Sequence, residues 1–148
     1  MPEPAIFLDT NGWLALLNRS DALHFRATGL WRRLGDLGAR VVVTDWVIAE
    51  TGNGLARSPA RQTFGSAVDR LRESTAATIV KIDESLLLRA LALFGRRRDK
   101  TWGLVDCASF VVMEDHEVRR AFTNDRHFEQ AGFVAILRDQ QDQPRNPR

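Results

Sequence analysis

The sequence predicts an α/β protein: a three-layer α/β/α sandwich around a mainly parallel central sheet. Short apolar or β-branched runs alternate along the chain with longer stretches of helical apolar spacing, and parallel strands need such crossovers, which place helices on both faces of a sheet. The length of 148 residues and the 44% hydrophobic content suit one domain able to bury a core. No internal repeat interrupts this pattern.

The elements follow in order. Residues 5–9 (AIFLD) form an apolar run ending in a carboxylate, and Thr10 and Asn11 supply capping chemistry for a helix over 12–17. Ser20 and Asp21 are placed to cap a second helix over 22–37, where Leu23, Leu30 and Leu34 fall near helical spacing and Gly38 stops it. The β-branched stretch 40–44 (RVVVT) is a buried strand, and Thr44 or Asp45 caps the helix over 46–56 that carries Glu50. Ser58 followed by Pro59 opens a helix to about residue 73, and 78–82 (TIVKI) is the third strand. Asp83 caps a helix over 84–97. Thr101 caps another over 103–114, with Asp106 in its first turns, where the amide dipoles favour negative charge. Residues 120–123 form a fourth strand, 126–130 a helical turn, and 133–137 a last strand after Gly132. The domain is expected over 1–138. The polar tail 139–148, with two prolines, is expected to be disordered.

Composition excludes several function classes. A single cysteine, Cys107, rules out an internal disulfide and a multi-cysteine zinc cluster, as expected of a chain in a reducing cytoplasm. The first residues lack a basic leader, and their apolar run is cut by Asp9 and Asn11 far short of bilayer length, so neither export nor membrane spanning is expected. A net charge of +2 permits a polyanionic partner without demanding one.

Chemistry concentrates in the carboxylates. Ligands bind open α/β sheets beyond the carboxyl ends of the strands, where Asp9 and Asp125 both fall, and Glu50 and Asp106 lie on helices leaving that same edge. Each pair of such charges a few ångströms apart repels by about 4 kcal/mol at an effective dielectric near 20, which a divalent cation compensates best. Oxygen ligands without cysteine or paired histidine match Mg²⁺ or Mn²⁺ rather than zinc. Two such ions about 4 Å apart would activate a water and stabilise the leaving oxygen of an in-line phosphodiester displacement. Taken singly, Asp9 and Asp125 also read as turn or capping residues, and Glu50 and Asp106 as solvent-facing helix charges. His24, His116 and His127 form no motif and read as bystanders; His127 alone is close enough to Asp125 in sequence to touch substrate.

The stretches 7–11 (FLDTN), 47–50 (VIAE), 101–110 (TWGLVDCASF) and 121–133 (AFTNDRHFEQAGF) together resemble the PIN-domain family in order and spacing, with coverage from about residue 6 to 137. The resemblance implies a compact α/β/α sandwich and an acidic site binding Mg²⁺ or Mn²⁺ for RNA cleavage. Its four acids fall on Asp9, Glu50, Asp106 and Asp125. Its small hydroxyl or amide positions fall on Thr10, Asn11 and Thr123, which would orient carboxylates rather than attack substrate. Many bacterial relatives are VapC-like toxins held by a cognate antitoxin, and the resemblance also suggests a homodimer. The segment 106–110 (DCASF) departs from the alanine- and isoleucine-rich pattern of many toxins, so the nuclease chemistry transfers more directly than the toxin role.

Arg96, Arg97, Arg98 and Lys100 precede the Asp106 helix and are candidates to hold RNA phosphates; a solvated helix end is the plainer reading. Trp13, Leu16, Leu17, Trp31 and Trp46 are read as core for the most part, with a dimer or antitoxin surface as the alternative. A non-catalytic RNA- or protein-binding module, a housekeeping RNA-processing nuclease without an antitoxin, a metal-dependent phosphatase and a DNA flap nuclease remain alternative functions on the same acidic logic.

Overall fold

The computed structural model describes residues 4–138; the expected disordered tail lies outside them. Five strands, β1 (Ala5–Leu8), β2 (Arg40–Thr44), β3 (Ala77–Val80), β4 (Arg120–Phe122) and β5 (Val134–Ala135), form one all-parallel sheet in the order β3-β2-β1-β4-β5. The helices are α1 (Thr10–Leu17), α2 (His24–Asp36), α3 (Asp45–Gly54), α4 (Phe64–Glu73), α5 (Glu84–Arg96), α6 (Leu104–Asp115) and α7 (Arg126–Gln130).

Chain order runs outward from β1 to β3, then crosses back to β4 and β5, so right-handed crossovers put α1–α4 on one face and α5–α7 on the other. Helix contacts agree: α1 packs on α2 and α3, whereas α6 packs on α5 and α7. The expected sandwich and parallel sheet are both present. The direction reverses between β1 and β4, the position at which an open sheet leaves a crevice for ligands.

The β1 and β2 side chains Ile6, Phe7, Leu8, Val42 and Val43 are buried, as strands covered on both faces require. Helix α6 is buried along most of its length through Cys107, Ala108, Ser109, Phe110, Val112 and Met113, because α5 covers the side that the sheet does not. Phe110 meets Phe128 and Trp102 edge-on at centroid distances of 5.0 and 5.1 Å, tying α6 to α7 and to the loop before α6. On the opposite face α1 is pressed against β4. A Cβ on Gly12 would collide with the Phe122 carbonyl oxygen, so only glycine allows this approach.

Several boundaries differ from the sequence reading. Residues 58–73 are not one helix: Ser58 caps a 3₁₀ turn, Pro59–Gln62, and α4 begins afresh at Phe64. Strand β3 ends at Val80, and the Ile82 amide donates instead to the Asp45 carboxylate at 3.0 Å. Asp21 accepts from the Leu23 amide at 2.8 Å in a turn, leaving α2 to start at His24 without a side-chain cap. Thr44 and Asp83 cap α3 and α5 as expected, accepting from the Val47 and Leu86 amides.

Candidate functional site

Strand register brings the first and last acids together. Leu8 pairs with Phe122, so the next residues, Asp9 and Thr123, leave the sheet side by side. The buried Thr123 hydroxyl donates to Asp9 Oδ2 at 2.8 Å and lies 3.4 Å from Asn11 Oδ1. Asn11 does not cap α1, which begins at Thr10; its amide oxygen crosses to β4's exit and accepts from the Asn124 amide at 2.6 Å. The Asp125 amide in turn donates to Thr123 Oγ1 at 3.1 Å. Thr123 and Asn11 thus stitch the two strand ends into one rigid edge. Thr10 is buried beside them, and its hydroxyl oxygen has no hydrogen-bond partner among the described residues.

Asp106 arrives from the other face of the sheet. It stands at the third position of α6, where Oδ2 accepts from the Gly103 amide at 3.1 Å. The residue at the helix N-cap is therefore Gly103, and the Asp106 carboxylate does the capping work that the sequence assigned to Thr101. Asp125 caps α7, with Oδ1 accepting from the His127 amide at 2.9 Å. Each carboxylate thus anchors the start of its own helix.

His127, read from the sequence as a bystander, stands against two of the acids. Its Nδ1 lies 3.1 Å from Asp106 Oδ2 and 3.5 Å from Asp125 Oδ1, and Nε2 lies 3.3 Å from Thr101 Oγ1. Ligand atoms of Asp106, Asp125 and His127 all fall within 4.8 Å of one another. The signal available in the sequence was its place in the first turn of α7, two residues after Asp125. Its nearness to Asp106 depends on how α6 packs against α7. His24 and His116 stand elsewhere: His24 Nδ1 is 2.8 Å from the Ala15 carbonyl, and His116 ends α6.

The electrostatics are those of a crowded acidic pocket. Asp9 is only 4% exposed. Burial, with the charges of Asp106 and Asp125 adding to it, pushes its carboxyl from an ordinary 3.8 up to about 7, against the pull of the Thr123 hydroxyl and the Thr10 amide. Asp106 is also raised, again chiefly by burial, with the charge of Asp125 adding; the Gly103 amide and His127 oppose the shift.

Glu50 behaves differently. It is exposed in the second turn of α3, which leaves the carboxyl end of β2 beside β1; like Asp9 it stands outside the tight group of ligand atoms, but unlike Asp9 it is neither buried nor hydrogen-bonded to that edge. The basic cluster is also divided. Arg97 is bound through two hydrogen bonds to Asp99 at 2.9 and 3.1 Å and lies over the Trp102 ring at 4.9 Å, while Lys100 stands 3.9 Å from the same Asp99. Arg96 and Arg98 are exposed. Of the apolar residues singled out, Trp13 is core, Trp31 packs edge-on to Phe122, and both line, with Leu16 and Leu17, a groove of about 740 Å³ between α2 and α4. Trp46 does not line it. No described helix is long and apolar enough to cross a membrane.

Comparison with known proteins agrees with this geometry. The PIN domain family profile matches residues 6–134. A 23S rRNA-specific endonuclease of Mycobacterium tuberculosis, VapC20, is 30% identical over 131 residues, covering 88% of this chain and 97% of the relative. The crystal structure of VapC20, described as a Sarcin-Ricin loop cleaving toxin, superposes with a TM-score of 0.77 over 87% of this chain and 96% of that one. FitAcB from Neisseria gonorrhoeae matches at a TM-score of 0.61 with 19% identity, over 93% of this chain and 99% of that one, a likeness of fold.

Proposed function

The chain belongs to the PIN domain family, and on that footing we propose that it is a divalent-cation-dependent endoribonuclease whose cation is held by Asp9, Asp106 and Asp125, with Glu50 as a further ligand or water-positioning group. The observation that carries this reading is the cluster of Asp106, Asp125 and His127, whose ligand atoms lie within 4.8 Å of one another, beside the buried Asp9, which is near enough for the charges of both other acids to raise its carboxyl.

The residues suit Mg²⁺ or Mn²⁺. The donors are hard carboxylate oxygens, with one imidazole within reach. A carboxyl buried at 4% exposure and raised to about 7 is a group whose negative charge is under-compensated by the protein alone. The Thr10 hydroxyl, next in sequence to Asp9, is a further buried polar atom without a partner among the described residues. What a divalent cation supplies when bound is the activation of water and the neutralisation of charge on the phosphodiester.

The chain's own residues set the frame for that chemistry. Thr123 and the Thr10 amide fix the Asp9 carboxylate, Asn11 locks the β1 and β4 exits to each other, and Gly103 and His127 orient Asp106. Arg96 and Arg98, exposed at the end of α5, offset the repulsion between an RNA backbone and the acidic pocket. The activity ascribed to VapC20 makes ribosomal RNA containing the sarcin–ricin loop the first substrate to assay. A toxin role accords with the same relative, described as a toxin; a cognate antitoxin and a second copy of the chain are the partners that the family resemblance implies, and such a substrate puts the reaction in the cytoplasm.

The test is cleavage of a sarcin–ricin loop RNA in Mn²⁺. Wild type is expected to cut it, EDTA to abolish cutting, and Asp106→Asn to slow it by about a hundredfold or more. Equal cleavage in EDTA, or by the variant, contradicts the reading.

A further inference from the structure

Beside the acidic pocket, between α5 and the α6–α7 wall, lies a second cavity of about 430 Å³, room enough for one nucleotide. Trp102 and Gln130 join it to the pocket. Trp102 Nε1 donates to Gln130 Oε1 at 3.1 Å, the preceding residue Thr101 meets His127, and Gln130 ends the same short helix that Asp125 caps. Five residue steps lead from Asp125 to Gln130, about 7.5 Å of helical rise, a span that one nucleotide of a single strand bridges.

The charges lining this cavity cancel in pairs with one exception. Arg89 is held by Asp115 at 2.6 and 2.8 Å, Glu114 by Arg119 at 3.0 Å, and Arg97 by Asp99. Arg96 is exposed and makes no ion pair among the described residues. The cavity therefore presents one uncommitted cation. Arg97 presents something else: its Nε–Nη2 edge is spent on Asp99, and its guanidinium carbon lies over the Trp102 ring, 4.9 Å from the centroid. What it offers the cavity is a fixed planar plate, of the kind on which bases stack.

We propose that this cavity is a nucleotide subsite of the RNA cleft, in which Arg96 holds a backbone phosphate and the guanidinium plane of Arg97 carries a base. The proposal rests on the ribonuclease reading for its choice of ligand. It divides the basic cluster into one charge contact and one stacking contact, where the sequence offered four interchangeable charges.

Binding of a labelled single-stranded oligoribonucleotide, followed by anisotropy in EDTA across a salt series, tests the division. Arg96→Ala should weaken binding and make the slope of log K against log salt shallower by about 0.7, one phosphate contact on a single strand; Arg96→Lys should restore the slope. Arg97→Lys, which keeps the charge and loses the plate, should weaken binding about tenfold at an unchanged slope. An Arg97→Lys protein that binds like wild type, or an Arg96→Ala protein with the wild-type slope, overturns the proposal. So does displacement of the RNA by poly-glutamate as readily as by unlabelled RNA, which would assign the cavity to an acidic protein segment. Should Arg97→Lys fail to fold, wild type decides: guanosine 5′-monophosphate should shift the Trp102 indole N–H resonance and leave those of Trp13 and Trp46 in place, and an unmoved Trp102 signal overturns the proposal. Failure of the ribonuclease reading shows separately, as wild-type protein that cleaves no RNA in Mn²⁺, or whose cleavage survives EDTA and so owes nothing to a cation.

Discussion

Replacing Asp9 by asparagine should make the cation-free protein more stable, and the gain should depend on pH. Asp9 is buried at 4% exposure, with its carboxyl raised from 3.8 to about 7. Below pH 4 the group is protonated in both folded and unfolded chains, so it contributes no penalty. As pH rises from about 4 to 7 the unfolded chain releases the proton while the folded one retains it, and stability falls throughout that window; above it the loss is complete and constant. Roughly three pKa units at 1.36 kcal/mol each bound the loss at about 4 kcal/mol. Asparagine keeps an oxygen for the Thr123 hydroxyl and removes the charge. In EDTA, Asp9→Asn should therefore melt about 10 °C above wild type at pH 8, at 2–4 °C per kcal/mol for a chain of this size, and level with it near pH 3.5. Thermal melts monitored by circular dichroism at the two pH values measure this. An advantage that is absent at pH 8, or equally large at pH 3.5, refutes the reasoning.

Three further outcomes follow from the same geometry. Mn²⁺ should raise the melting temperature of wild type saturably, by about 2.7 kcal/mol of stabilisation at a hundredfold excess over its dissociation constant, and should leave the Asp106→Asn/Asp125→Asn double variant unmoved. Glu50→Gln, at an exposed position, should change stability by less than about 0.5 kcal/mol yet lower the RNA cleavage rate at least tenfold; cleavage at the wild-type rate would remove Glu50 from the site. Gly12→Ala should cost on the order of 3 kcal/mol, because its methyl group meets the Phe122 carbonyl and forces α1 away from β4, and denaturant unfolding would register it.

The sheet and its acids were legible in the sequence because they rest on local chemistry. Runs such as 40–44 can be little other than buried strands, and a carboxylate closing a strand at Asp9 or following one at Asp125 is visible without coordinates. Which acid meets which group was less legible. His127 reaches Asp106 only because Phe110 and Phe128 pack edge-on and set α7 against α6, a contact between residues remote in sequence. The cap of α6 was misread for a related reason: Thr101 is spent on His127, and the extended Gly103 leaves its amide to the Asp106 carboxylate. Likewise Arg97 looked like its neighbours Arg96 and Arg98 until Asp99 and Trp102 closed around it. The break at 58–73 turns on a 3₁₀ cap hydrogen bond between Ser58 and Ala60 that the proline signal at Pro59 does not distinguish from an α-helical start.

The decisive measurement is proton release on Mn²⁺ binding, read by calorimetry in buffers of different ionisation enthalpy. Because Asp9 holds its proton to about pH 7 and a cation requires the carboxylate, binding at pH 6 should expel about one proton or more, binding at pH 8 markedly fewer, and Asp9→Asn fewer than wild type at pH 6. Saturable binding at pH 6 with no proton expelled, or no saturable binding at all, would contradict a cation held by these converging acids.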